Sequence, residues 1–128
     1  EVLQARKEAE EIYKLLYESS SDAIMILSPP DGRFVEANPA TIKLFGAKNE
    51  EEFITKTPKD ISPKKQPDGK LSSEGAKKMI ERAMKEGRAS FNWVHKTLAG
   101  EEFNAHVLLT KFTLNEKDLL HATVRRRG

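Results

Sequence analysis

Over the first 18 residues Val2, Ala5, Ala9, Ile12 and Leu16 recur at alternating intervals of three and four, while Glu8, Glu10, Glu11 and Lys14 lie off that line. This spacing predicts a helix with a narrow apolar seam. The seam can pair with another helix, or it can lie on the chain's own domain. Ser19-Ser20-Ser21-Asp22 ends it. Apolar residues then crowd into Ile24 to Leu27, which reads as a strand. Pro29-Pro30-Asp31-Gly32 reads as a turn, because Pro fixes φ and Gly permits positive φ. Arg33 to Ala37 is a second short strand. Asn38-Pro39 has the chemistry of a helix start, a capping side chain followed by Pro at the first helical position, and Gly46 that of a stop. Asn49 with Glu50, Glu51 and Glu52 opens another short helix that includes Phe53.

Residues 57–71 carry Pro58, Pro63, Pro67 and Gly69 and read as irregular. Ser72 or Ser73 opens a longer helix to about Glu86, with Met79, Ile80, Ala83 and Met84 on its apolar stripe and Gly87 as its stop. The period then falls to two. Ser90 to Thr97 and Glu102 to Phe112 flank Leu98-Ala99-Gly100, a three-residue hairpin loop. A last strand, Leu119 to Arg125, follows a polar turn at Asn115 to Asp118. The order is helix, two strands, three or four helices, three strands. That is an α+β fold with an antiparallel sheet. No internal repeat or low-complexity segment interrupts it.

Composition adds exclusions. A chain of 128 residues with 38% hydrophobic and 33% charged residues is one globular domain. A net charge of +2 does not call for nucleic acid, since Asp60, Asp68 and Glu74 interrupt the basic stretch from Lys56 to Lys78. The absence of cysteine removes disulfides, thiolate metal sites and cysteine nucleophiles, and agrees with a reducing cytosol. No signal peptide or membrane span is visible, so no membrane contact is expected within this segment. The chain starts without Met and ends on Arg125-Arg126-Arg127-Gly128, as expected of a segment of a longer protein.

Three stretches in order carry a resemblance: Ser21-Asp22-Ala23-Ile24, then Asp31-Gly32-Arg33-Phe34-Val35-Glu36-Ala37-Asn38-Pro39-Ala40, then Leu44-Phe45-Gly46. Phe91-Asn92-Trp93-Val94-His95-Lys96 and Gly100-Glu101-Glu102-Phe103 extend it. Together they resemble a PAS domain, the sensory box of bacterial and archaeal signalling proteins. The resemblance implies the PAS fold: a five-stranded antiparallel sheet with short helices on one face and a pocket between them. It also implies an N-terminal amphipathic helix outside the sheet that often pairs across a dimer. The expected division is 1–20 as a coiled-coil-like linker helix and 21–128 as the sensory domain. One departure stands out. Many members end in an Asp-Ile-Thr motif that couples the last strand to the output helix, and here Arg125-Arg126-Arg127 takes that place.

Strand alternation groups Phe91, Trp93 and His95 on one face, Ala105, Val107 and Leu109 on the next strand, and Leu120, Ala122 and Val124 on the last. The hairpin loop sets Trp93 opposite Ala105 and Phe91 opposite Val107. By the resemblance this face lines the pocket, joined by Met25 and Leu27 and closed by Met79, Ile80 and Ala83 of the long helix. The same residues would equally make an ordinary packed core. Ala105 and Ala122, small residues beneath Trp93, and the methionines opposite favour ligand space. The outward faces are also partly apolar, at Ile24, Ile26, Leu108, Phe112 and Leu119, which implies a cover from the N-terminal helix or a second subunit.

The three histidines form no ligand spacing for a metal, and Ser and Asp sit in expected caps and turns, so no catalytic residues are assigned. Within the resemblance, the covalent flavin class needs a cysteine near the pocket, and the haem class commonly uses a histidine on the long helix. This chain has neither. The expectation is therefore a non-enzymatic, cytoplasmic signal-sensing module of a larger protein, such as a sensor histidine kinase or diguanylate cyclase. It would bind a small, mostly apolar, fatty-acid-like ligand and relay the signal through terminal helices in a homodimer. Val2, Ala5, Ala9, Ile12 and Leu16 would form the interface, with the outer sheet face. The alternatives are a flavin or haem redox sensor, and a ligand-free dimerisation or interaction module.

Overall fold

The computed structural model describes residues 2–128; Glu1, the first residue of the expected linker helix, lies outside the described residues. The elements are α1 (Val2–Ser19), β1 (Ala23–Ser28), β2 (Arg33–Ala37), α2 (Pro39–Phe45), α3 (Glu50–Phe53), α4 (Ser72–Glu86), β3 (Arg88–Lys96), β4 (Glu102–Leu114) and β5 (Lys117–Arg126). The five strands form one antiparallel sheet in the order β2-β1-β5-β4-β3. The helices α2, α3 and α4 lie on one face, and the core fills the space between.

The β3–β4 register pairs Trp93 with Ala105 and Phe91 with Val107, as the three-residue loop predicts. The β4–β5 turn is tighter than expected. Asn115 and Glu116 alone form it, both with positive φ, and β5 starts at Lys117. Asn tolerates the left-handed region, so two residues suffice. Polar Lys117 and Asp118 then fit the solvent end of the ladder, where Thr113 donates a hydrogen bond to Asp118 Oδ1 at 2.7 Å. A register shift opposite the Ile26–Leu27 step of β1, with Val35 of β2 as the extra residue, turns both Phe34 and Ala37 inward although they are three apart, against simple alternation.

Asn38 ties the N-terminal half together. Its side chain is fully buried. Oδ1 accepts from the backbone N–H of Ile24 (2.9 Å) and Thr41 (3.0 Å) and from the Thr41 hydroxyl (2.8 Å). Nδ2 donates to the carbonyls of Tyr17 (2.9 Å) and Asp22 (3.1 Å). One amide therefore caps α2, ends the β1–β2 ladder and holds the C-terminal turn of α1. The ends of α2 and α3 follow expectation, with a left-handed Gly46 and Asn49 capping Glu52. The start of α4 at Ser72 follows expectation too, but without a side-chain cap. Leu71 is its cap residue and makes no side-chain bond, while the Ser72 hydroxyl accepts instead from Gln66 Nε2.

The edge strand β3 is covered by the irregular segment 57–71. Gln66 Oε1 accepts from Val94 N–H (2.8 Å) and its Nε2 donates to Val94 C=O (3.0 Å). Ile61 C=O accepts from Lys96 N–H (2.8 Å). This arrangement satisfies the backbone of an otherwise open edge.

The helix α1 packs on α2 and buries none of its residues. Val2, Ala5, Ala9, Ile12 and Leu16 are all exposed, and only Tyr17 is half-buried. The helix thus lies on its own domain by its last turns only, and its apolar seam faces away. The outer sheet face is not covered by α1: Leu108, Phe112, His121 and Thr123 remain half-buried, although Ile26 and Leu119 are buried by their strand neighbours.

Asn38→Ala would strand the Ile24 N–H and the Tyr17 carbonyl and remove the side-chain cap of α2, while the Thr41 N–H keeps the Asn38 carbonyl and the Asp22 carbonyl keeps the Ser20 hydroxyl. Urea unfolding should show a loss of about 3–5 kcal/mol, with Asn38→Ser recovering part of it through the α2 cap. A loss below about 1 kcal/mol would mean that water replaces the amide.

Candidate functional site

An apolar cavity of about 60 Å³ lies between the sheet and α4. Its sheet wall is Met25 and Leu27 of β1, Phe91, Trp93 and His95 of β3, Val107 and Leu109 of β4, and Ala122 and Val124 of β5. Ile80 and Ala76 of α4 close it, with Pro58, Ile61 and Ser62 from the irregular segment and Phe34 from β2.

Three residues expected at this wall stand elsewhere. Ala105 is buried opposite Trp93 but does not border the cavity, because the indole leans away from it. Trp93 Nε1 donates to Ser62 Oγ (3.0 Å), and the ring packs on α4, where a Cβ at Gly75 would lie 3.1 Å from it. Ala105 and Trp93 together border a different depression, at the β3 edge with Gln66 and Pro67. Ala83 is fully buried in close-packed core, and Met79 sits half-buried at its margin. The α4 face towards the cavity is therefore Ala76 and Ile80, one turn earlier than predicted. Ala76 was legible in principle, four residues before Ile80 on the same stripe. Ile61 and Ser62 carry no periodic signal, and Phe34 depends on the β1–β2 register shift.

His95 is the main polar side chain of the wall, 7% exposed. Its Nδ1 lies 3.0 Å from Ile61 C=O, which assigns the proton to Nδ1. Nε2 then carries a buried lone pair with no partner. Phe45 meets the ring edge-on at 5.2 Å and Phe103 lies at 5.8 Å. Burial pushes the imidazole pKa down to about 4, the Ile61 bond opposing only weakly. The side chain is neutral across the physiological range.

On the outer face His106 Nε2 lies 2.8 Å from Ser90 Oγ, and Nδ1 3.1 Å from Asn92 Oδ1. Ser90 is on β3, within the strand expected from Ser90 to Thr97. All three side chains are exposed on an open sheet, which offers no enclosed place for a reacting group. His106 pairs with Arg125, and His121 with Thr110, so the two histidines are well separated. Among the described residues no three His, Asp or Glu side chains converge on a metal-sized space. No helix among them is long and apolar enough to cross a membrane. Arg125, standing where an Asp-Ile-Thr ending was sought, makes two bonds to Asp22 at 2.8 and 3.3 Å and holds that carboxyl below its usual range.

The sheet order, the helical cover and the cavity between them agree with a sequence match to the PAS domain family over residues 21–125. The chain belongs to the PAS domain family. It is similar in structure to a PAS domain of a two-component sensor histidine kinase, with 17% identity, 96% of this chain and 99% of that chain covered, and a TM-score of 0.74. It is similar also to the PAS domain of an HTR-like protein from Haloarcula marismortui, with 20% identity, 97% and 96% covered, and a TM-score of 0.76. A light-oxygen-voltage domain studied with a flavin analogue matches at 13% identity, 92% and 85% covered, and a TM-score of 0.70. No protein of curated function matches the chain. At these identities the structural matches establish the PAS fold, and the same fold is seen in a flavin-based light sensor, so fold alone does not choose a ligand.

The depressed pKa of His95 has a pH signature. The unfolded chain takes up a proton near pH 6.5 and the folded chain only near pH 4, so stability falls as pH drops through that window. His95 alone should remove about 2 kcal/mol between pH 7 and pH 5. His95→Leu should flatten that part of the urea-unfolding profile. An unchanged profile would show that His95 is reached by water.

Proposed function

We propose that this PAS domain is the signal-input module of a larger signalling protein, such as a sensor histidine kinase or diguanylate cyclase, working in the cytoplasm and without catalysis of its own. Its cavity takes a small, mostly apolar ligand. The observation that carries this reading is an apolar space left open between the sheet and α4, roofed by a segment whose own bonds run to β3. A well-packed core leaves few voids larger than a water molecule. His95 Nε2 is a buried acceptor without a partner on a wall that is otherwise largely apolar.

The volume limits the ligand. Drug-sized pockets run to about 300–1,000 Å³, and a cavity of about 150 Å³ admits benzene. At about 60 Å³ the site is too small for a flavin or a haem as it stands. The missing cysteine and the absence of His from α4 point the same way. Two chains pair through the exposed seam of Val2, Ala5, Ala9, Ile12 and Leu16, aided by the outer sheet face. The ligand acts by favouring one packing of α4 on the sheet, and the shift reaches α1 through β1 and Asn38. It can do so only by differential affinity for the two packings. The small volume also supports a second reading, an interaction module whose core stays closed.

Native mass spectrometry of the purified protein separates these. The ligand reading expects a bound mass that is lost on denaturation. Ala122→Val, which fills the cavity, should keep or raise the melting temperature and abolish stabilisation by short alcohols. Bare-mass spectra together with no alcohol-induced shift in the parent chain would establish the closed module instead.

A further inference from the structure

A second depression, about 350 Å³, opens to solvent on the other side of the cavity's roof. Pro58, Ala76 and Ile80 line both spaces and form a shared wall. Gly32 backs that wall: a Cβ there would lie 2.9 Å from Ile80 Cδ1 and 3.2 Å from Pro58 Cγ. The inner and outer spaces are therefore neighbouring compartments that share the Pro58, Ala76 and Ile80 wall.

The outer compartment has a distinct chemistry. Its floor is Pro30, Pro58, Ala76 and Ile80, and Lys59 and Lys77 stand at its edge. Both lysines are exposed, and neither takes part in an ion pair among the described residues. Such side chains lay their methylene stems along apolar surface and keep the ammonium in water. Asp31 is the one acid on this lining. The first turn of α4, which has no side-chain cap, contributes Ser72 and Ser73. The balance at the rim favours an anion.

We infer that the ligand is a linear amphiphile with one carboxylate, a medium-chain acyl carboxylate, which enters between Pro58 and Ile80 and leaves its head at Lys59 and Lys77. This rests on the cavity reading above and adds the ligand's charge, its route and its orientation. The orientation follows from desolvation. A carboxylate in the inner chamber would face apolar side chains and the lone pair of His95, whereas at the rim it stays hydrated between two cations. The shape follows from the wall: a single chain can pass between Pro58 and Ile80 after a rotamer change of Ile80, while a fused ring system would have to lift α4. The outer compartment then supplies the length that the inner one lacks.

Trp93 is the chain's one tryptophan and borders the inner cavity, so its emission reports filling. The parent chain and the Lys59→Gln/Lys77→Gln variant are titrated at pH 7 and low salt with octanoate and with 1-octanol. The parent should bind both. The variant should weaken octanoate by about five- to tenfold and leave octanol within about twofold. Salt at about 0.5 M should weaken octanoate alone. Equal octanoate affinity in parent and variant, or binding of octanol only, overturns the head assignment and leaves the cavity reading standing. Failure of both octanoate and 1-octanol to alter Trp93 emission or the melting temperature of the parent chain overturns the two together.

Discussion

A buried amide must satisfy both its donors and its acceptor wherever it sits, and Asn38 meets that demand by drawing three elements to one point. Tyr17 and Asp22 supply carbonyls, Ile24 and Thr41 supply N–H groups. The Ile24 N–H and the Tyr17 carbonyl could not move away without losing the partner that the amide supplies. The position of α1 is therefore set by polar geometry rather than by apolar burial, since α1 buries no residue. A helix held at one end by hydrogen bonds, with its seam free, can change angle without disturbing the core. Arg125 adds a second tether from the last strand through Asp22, although an exposed pair of this kind is worth at most about 1 kcal/mol.

The core has two characters along its length. At one end Phe34, Phe45, Phe53 and Phe103 interlock, with ring centroids 4.8 to 5.6 Å apart. At the other the sheet wall meets α4 across a space that the side chains do not fill. His95 stands at the boundary, its ring against Phe45 and Phe103 while it also borders the cavity. The aromatic end is closely packed, and the other end leaves a space. Gly75 belongs to the second part, since only a bare Cα lets α4 approach the Trp93 indole so closely.

Much of the sheet was legible because period-two alternation and a hairpin loop of known length determine the register together. Trp93 opposite Ala105 follows from that arithmetic alone. Facing is harder to read than register. Ala105 looked like open space because it is small, but the indole beside it turned to Ser62, a partner 31 residues away in sequence. Ile61, Ser62 and Pro58 escaped notice because an irregular segment has no period, and its position is set by bonds to β3 that only the folded chain reveals. The α4 face was misread by one turn. Met79 and Ala83 share the apolar stripe with Ile80, and periodicity does not say which part of a stripe meets a void and which part meets packed core. Ser72 opens α4 as expected, with its hydroxyl held by Gln66 and not by its own helix.

Gln66 mimics a peptide unit. Its side-chain amide bonds both to the N–H and to the C=O of Val94, so the sheet ends at β3 as though a sixth strand one residue long had been added. The segment that carries it also carries Ile61 and Ser62, which roof the cavity. Lifting that segment to admit something larger would unmask a strand edge at the same moment. Enlargement of the interior and adhesiveness of the exterior are thus governed by one hinge, and a molecule that props the roof open would also make the domain readier to add a strand from a neighbour.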